Sequence, residues 1–466
     1  MADERVLVVG TTPDYVELIL TRYPGRAVFL TDRRFRAAAH EAPPPPADEW
    51  VDDLSRPPSQ LLISLRRHLN HRGIDVAGIA CFDCESLRLA ADLAQTMRLP
   101  YPAPAAIALG RDKYASKRLW HARGLPCPKA ELVRDDGEAF RFLRDCGAAG
   151  IVLKPLSGSG SEFVFLCRTA TEIRTALSIM REGLARHHDV RMYAALDTAY
   201  GHLDPREVFV AEQFIAGDEY SCDFLIDRGE VEIIRIARKL LAPRAADGRA
   251  GAATIGAAGG PATTATNAGA RVAATIPAGT TIAYRLPARL PRGISRVAFR
   301  RQIAAAARSL GFDRAIIMLD FIVHDGRAMM IEMSPRPGGD CLPPLILESC
   351  GFDMLGAALD FSAGRSLAIP PRSRWERRVG LRLLAVTAGT VAHLDASRLR
   401  ADPRVHTVHL TRSIGHPVAL PPENYDSRIL GYAIFAPSAG RGWEKECRDL
   451  NGLLDLRITP AGAAAR

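Results

Sequence analysis

The sequence predicts a mixed α/β and α+β chain: an open parallel sheet first, a larger central body, and a small α+β unit last. Three observations carry this. Val6 to Val9 and Ala27 to Thr31 are short apolar runs with a helical pattern from about Asp14 to Arg22 between them, the β-α-β opening of a parallel sheet. Arg314 to Asp340 reads as two apolar strands joined by a tight turn at Asp325-Gly326, hence a hairpin. Arg378 to Thr387, Val405 to Leu410 and Ile429 to Phe435 read as strands, closed by a helix from Trp443 to Leu454.

The 466 residues suggest about three domains. The order of expected strands and helices, with a boundary at Pro370-Pro371, places them at 1–108, 109–372 and 373–466. At 47% hydrophobic and 24% charged the chain can bury sizeable cores. The formal charge of +9 comes from arginine far outnumbering lysine, but it is spread without a basic block or aromatic-interleaved basic strand. That argues against nucleic acid and for attraction of small anions. No signal peptide opens the chain, and no long uncharged apolar run could cross a bilayer. The nine cysteines, an odd number without a framework, fit reduced thiols in a cytoplasm, and Cys81-x-x-Cys84 lacks the second pair of a zinc site.

In the first domain a further strand is expected at Gly78 to Phe82, with Asp83-Cys84-Glu85 capping the helix behind it. The glycine turn after Val9 lacks the G-x-G-x-x-G pattern, so no dinucleotide is assigned there. Arg111-Asp112-Lys113 opens a helix to about Arg123, and Lys113 near its start can reach a phosphate. Ile151 to Pro155 is a strand carrying Lys154. The loop Ser157-Gly158-Ser159-Gly160-Ser161 follows, with small residues whose N–H groups can close around phosphates. Val208 to Ile215 and Cys222 to Ile226 flank a turn at Gly217-Asp218-Glu219. This fits an adenine slot, a plain hairpin being the simpler reading. Residues 242–280 are rich in Ala, Gly and Thr and read as an insertion. Helix Val297 to Leu310 precedes the hairpin, and Leu345 to Leu347 and Met354 to Phe361 are helical.

The hairpin carries the chemistry. Asp320 sits in an otherwise apolar strand, where a carboxylate is costly unless a cation or hydrogen bonds compensate it. Glu332 lies in the next strand, so both acids can point at one place. Two converging carboxylates suit Mg²⁺, which usually takes nucleotide phosphates as further ligands. Arg336 and Pro337-Gly338-Gly339 follow, positive charge and close N–H donors for a transferring phosphoryl group.

Together the pieces resemble the ATP-grasp superfamily, and within it the carboxylate–amine ligases. The likeness rests on R-D-K, V-L-K-P with its Gly/Ser loop, A-E-Q-F-I-A-G-D-E-Y-S, L-D-F and I-E-M-S-P-R-P-G-G-D, in that order behind an N-terminal open sheet. It implies an ATP-grasp fold preceded by a Rossmann-like unit. It implies Lys113 and Lys154 on ATP phosphates, the 157–161 loop as their lid, Glu212, Gln213, Phe214 and Ile215 as adenine hinge, and Glu219 on the ribose. Asp320 and Glu332 would hold Mg²⁺, with Mn²⁺ as its substitute, and Arg336 would steady a phosphorylated intermediate. One departure stands out: Ser334 occupies the place of an asparagine metal ligand, and a hydroxyl binds Mg²⁺ more weakly.

The function implied is ATP-dependent, ADP-forming amide or peptide bond formation through an acyl phosphate. The partners are a small-molecule carboxylate and an amine, on amino acids or a specialised metabolite, with a homodimer as default assembly. Alternatives are a formate, bicarbonate or nucleotide-pathway substrate, or an inactive ATP-binding regulator. Arg238 is the candidate substrate contact outside the motifs, with an ordinary salt bridge as its simpler role.

Overall fold

A computed structural model describes residues 3–460 apart from 40, 188–190, 199 and 243–279. The first unit is a four-stranded parallel sheet ordered Glu49–Asp52, Ala27–Asp32, Asp3–Val9, Ile74–Ala80. Val6 to Val9 and Ala27 to Leu30 are buried without alternation, as expected when helices cover both faces. The strand expected at Gly78–Phe82 starts earlier, because left-handed Gly73 stops the preceding helix and Ile74 begins the strand at once. The expected cap also differs. The next helix, Leu87–Met97, has Ser86 at its N-cap, while Asp83 accepts a hydrogen bond from the Thr11 N–H at 2.5 Å. The helix expected from Arg111 begins at Lys113, since Asp112 accepts from the Tyr114 and Ala115 N–H groups and fixes the start.

Two further sheets form the centre. One has four antiparallel strands ordered Ala130–Val133, Phe209–Gln213, Ile151–Pro155, Phe165–Cys167. The other has eight, ordered Arg327–Ser334, Arg314–His324, Asp218–Asp227, Glu230–Leu241, Thr281–Leu286, Arg378–Leu384, Ile429–Phe435, Val405–Leu410. The chain leaves the first of these at Gln213 and enters the second at Asp218, so the plain hairpin is excluded: residues 214–217 link two sheets. Gly217 is needed in that link, because a Cβ there would stand 2.1 Å from the Val323 carbonyl oxygen.

The eight-stranded sheet does not stop at residue 372. Three of its strands come from the last part of the chain, so the C-terminal unit is built onto the central sheet; only Gly389–Asp395, Pro417–Val418 and Asp455–Thr459 form a sheet of their own. The insertion expected at 242–280 lies almost wholly outside the described residues. Its flanks, Leu241 and Thr281, are paired in adjacent strands.

The hairpin forms as the sequence predicts. Asp325 and Gly326 have φ of 48° and 70°, the two positive values a tight two-residue turn requires. Asp320 lies opposite Glu332 in the register, and Phe321 opposite Met330, leaving Ile331 as a bulge.

Candidate active site

A cleft opens between the two central sheets. Its lining brings together Lys113, Lys154, Ser157, Gly158, Ser159, Ser161, Glu212, Gln213, Phe214, Ile215, Glu219, Asp320 and Glu332. Val152, Val164, Phe214 and Ile322 supply apolar walls. The bulge at Ile331 lets consecutive residues, Ile331 and Glu332, both face it.

The charges form two chains. Lys239 Nζ lies 2.6 Å from Asp320 Oδ2 and 2.7 Å from Glu219 Oε1. Burial alone would lower the Lys239 pKa, but the Asp320 and Glu219 carboxylates outweigh it and raise it. This is the cation that the apolar setting of Asp320 demands. At the other end Glu212 Oε1 lies 2.5 Å from Lys117 Nζ and 2.7 Å from Lys154 Nζ. Burial lowers the Lys154 pKa, Glu212 opposing it. Lys117 also donates to the Ile331 carbonyl at 2.6 Å, which holds the bulge. The side chain of Glu212 is therefore a counter-ion between two lysines rather than a direct base contact.

Between the chains stands Glu332, with Lys113 Nζ 3.3 Å from its Oε2. Burial would raise its carboxyl; Lys113, Lys154 and Lys239 outweigh that and hold it at about 2. Asp320 shifts the opposite way, raised by burial, with Lys239 opposing and Glu219 and Glu332 adding to the rise. Asp320 Oδ1 is buried with no hydrogen-bond partner.

The 157–161 loop closes one side. Gly158, Gly160 and Ser161 all have positive φ. Lys113 Nζ donates to the Gly158 carbonyl at 3.1 Å, and Ser157 Oγ donates to the Met192 carbonyl at 2.9 Å. The Ser157 hydroxyl is thus spent within the protein.

A second cavity adjoins the first, sharing Asp320, Glu332 and part of that loop. Gly160, Ser334 and Arg336 line it, not the first cleft. Arg336 donates Nε to Cys84 Sγ at 3.0 Å and Nη1 to the Pro337 carbonyl at 2.9 Å. Cys84 thereby ties the parallel-sheet unit to the site. Behind Arg336, buried Arg235 and Asp223 form a two-bond ion pair at 2.9 Å. Gly338 packs onto that pair, where a Cβ would meet Arg235 Nη2 at 2.5 Å.

Lys117, Lys239 and Arg235 were not singled out from the sequence. Lys117 was findable, standing one helical turn after Lys113 on the same face. Lys239 was not, since strand alternation alone cannot choose between neighbours. Arg238, the sequence candidate, pairs with Asp218 at 3.0 Å and lines neither cavity. It is an ordinary salt bridge. Among the described residues no single helix is long and apolar enough to cross a membrane.

Comparison with known proteins bears on the fold that carries this cleft. A family model for the ATP-grasp domain matches residues 148–247. D-alanine–D-alanine ligase of Verminephrobacter eiseniae is 32% identical over 124 residues, covering 27% of this chain and 30% of that protein. The chain thus spans less than a third of that relative's length. D-alanine–D-alanine ligase of Ralstonia nicotianae is 28% identical over 306 residues, 61% of this chain and 72% of that protein. The L-amino acid ligase from Bacillus licheniformis has the same fold, with a TM-score of 0.72 at 16% identity, over 98% of this chain and 100% of that one. Residues 148–247 thus match an ATP-grasp domain, and the chain as a whole shares the fold of the L-amino acid ligase.

Proposed function

We propose that the protein is an ATP-dependent, ADP-forming ligase that activates a carboxylate as an acyl phosphate and joins it to an amine, on amino acids or a specialised metabolite. The observation that carries this is Asp320 facing Glu332 across the hairpin, with four lysines within the same charge network.

The residues fit a nucleotide carrying a divalent cation. Lys113, Lys117, Lys154 and Lys239 are matched by Glu212, Glu219, Asp320 and Glu332, so a bare nucleotide polyanion would upset the balance and its cation would offset part of that charge. Glu332 stays ionised, and Asp320 Oδ1 lacks a partner; the two carboxylates would supply the donors for Mg²⁺ or Mn²⁺. When bound, the cation would neutralise phosphate oxygens during transfer. Lys113 and Lys154 would hold the phosphates. Gln213 and Phe214 already donate their N–H groups to the Lys129 and Gly150 carbonyls, which leaves the Ile215 N–H as the hinge donor for the base. Glu219 stands beyond the hinge for ribose hydroxyls.

The γ-phosphoryl group then passes to a substrate carboxylate oxygen, forming an acyl phosphate and ADP. An amine attacks the carbonyl carbon, the C–O bond to phosphate breaks, and the amine loses a proton. Arg336 and the N–H groups of 157–161 stabilise charge on the transferring group. No side-chain nucleophile is needed; positioning and electrostatics carry the reaction.

The test is ADP release by the purified protein with ATP, Mg²⁺ and pooled amino acids, the product identified by mass. Absence of amino-acid-dependent ADP would end this reading. Release with formate, bicarbonate or a nucleotide-pathway acid instead would move the substrate class. A second reading rests on Ser334: an ATP-binding regulator without turnover, in which Ser334→Asn would switch ADP release on. The ligase reading expects only a modest change from that substitution.

A further inference from the structure

The second cavity reaches from the phosphate end of the cleft to the C-terminal unit, which contributes Arg382 and Arg428. Its cations differ in what satisfies them. Lys239 is held by Asp320 and Glu219, and Arg382 Nε by Asp340 at 2.5 Å. Arg336 and Arg428 have no carboxylate within ion-pair distance among the described residues. Arg428 donates Nη2 to Thr280 Oγ1 at 3.0 Å, and its buried Nε has no partner. Burial, then the Arg382 guanidinium, pulls the Arg428 pKa below that of an ordinary arginine, and Tyr425 and Asp426 on the same loop offset this only in part. A partly buried guanidinium facing a cavity without its counter-ion is costly, and an incoming anion removes that cost.

We infer that Arg428 is a specificity residue that seats a substrate carboxylate not consumed in the reaction, on the wall opposite the phosphate end. This rests on the ligase reading, in which the reacting carboxylate lies by Arg336. The planar guanidinium has free donors suited to a carboxylate. The seated group is either the second carboxylate of a diacid or the carboxylate of the amine partner.

Succinate, a dianion without an amine, probes the seat directly. Titrated into the full-length protein with ADP and Mg²⁺ and followed by calorimetry, it should bind, and Arg428→Gln should weaken it about 10- to 100-fold. Arg428→Lys should restore part of the affinity. No succinate binding by the wild type, or equal binding by Arg428→Gln, overturns the assignment. With the productive substrate pair, Arg428→Gln should raise KM for the carboxylate-bearing substrate and leave KM for ATP unchanged. Replacing the acid's side carboxylate by an amide, or the amine partner's carboxylate by an amide, shows which source Arg428 reads: only that replacement should erase the difference between wild type and variant. A difference that survives both replacements overturns the assignment. If no amino acid releases ADP yet succinate binding depends on Arg428, the ligase reading fails and the seat stands. Turnover with no Arg428 dependence gives the reverse.

Discussion

The two adjoining cavities handle charge in opposite ways. Around the nucleotide cleft Lys113, Lys117, Lys154 and Lys239 each pair with a carboxylate, and Glu212, Glu219, Asp320 and Glu332 each with a lysine. In the second cavity two arginines stand without one. The cleft is self-neutralised, so it suits a ligand that brings its own counter-ion, a nucleotide with its metal. The second cavity keeps two guanidiniums without an ion-pair partner among the described residues, so it suits a ligand that supplies a carboxylate. The contrast separates a site built for a fixed partner from one whose ligand completes it.

The contrast can be broken most severely at the hairpin. Asp320→Asn removes one of the two facing carboxylates, and turnover should fall about 100- to 1000-fold in a coupled ADP assay. A fall under tenfold would remove Asp320 from the metal site. Next is the self-neutralisation itself. Lys239→Met leaves Asp320 and Glu219 buried without their cation and should cost about 3 kcal/mol in denaturant unfolding, since breaking one side of a buried pair strands the other. A loss near zero would mean the network does not stabilise the fold.

The pH dependence sharpens the same point. The Glu332 carboxyl is held at about 2 against an ordinary 4.5. A depressed carboxyl contributes stability fully above pH 4.5, and that contribution is lost as pH falls towards 2. The stability difference between wild type and Glu332→Gln should therefore narrow across that window. A difference independent of pH would contradict the shift. The smallest effect lies outside both cavities. Arg238 pairs with Asp218 at the surface, so Arg238→Gln should cost about 1 kcal/mol or less and leave every KM unchanged. A raised KM would return Arg238 to the substrate site.

Most of the cleft lining was legible in the sequence because its residues sit in short ordered stretches. A lysine before a Gly/Ser loop, or an aspartate inside an apolar strand, signals its chemistry locally. The partners that neutralise them were not legible in the same way. Lys239 and Arg238 are neighbours on one strand, and only the pairing of that strand decides which one meets Asp320 and Glu219 and lines the second cavity. The side-chain pairing of Glu212 is illegible for a similar reason: its strand is evident in the sequence, but not that its side chain turns back to Lys117 and Lys154. The C-terminal strands were legible one by one. Their joining of the central sheet was not, because strand order is a property of the assembled fold. Arg428 carries no local signal at all; its meaning comes from the cavity it faces.

The central claim is that Asp320 and Glu332 jointly hold a divalent cation with the nucleotide. Calorimetric titration of ADP, with Mg²⁺ and then with chelator, tests it most directly in wild type, Asp320→Asn and Glu332→Gln. The account predicts that Mg²⁺ strengthens ADP binding in the wild type and that each substitution removes most of that gain. ADP affinity indifferent to Mg²⁺, or a gain that survives in both variants, would contradict it.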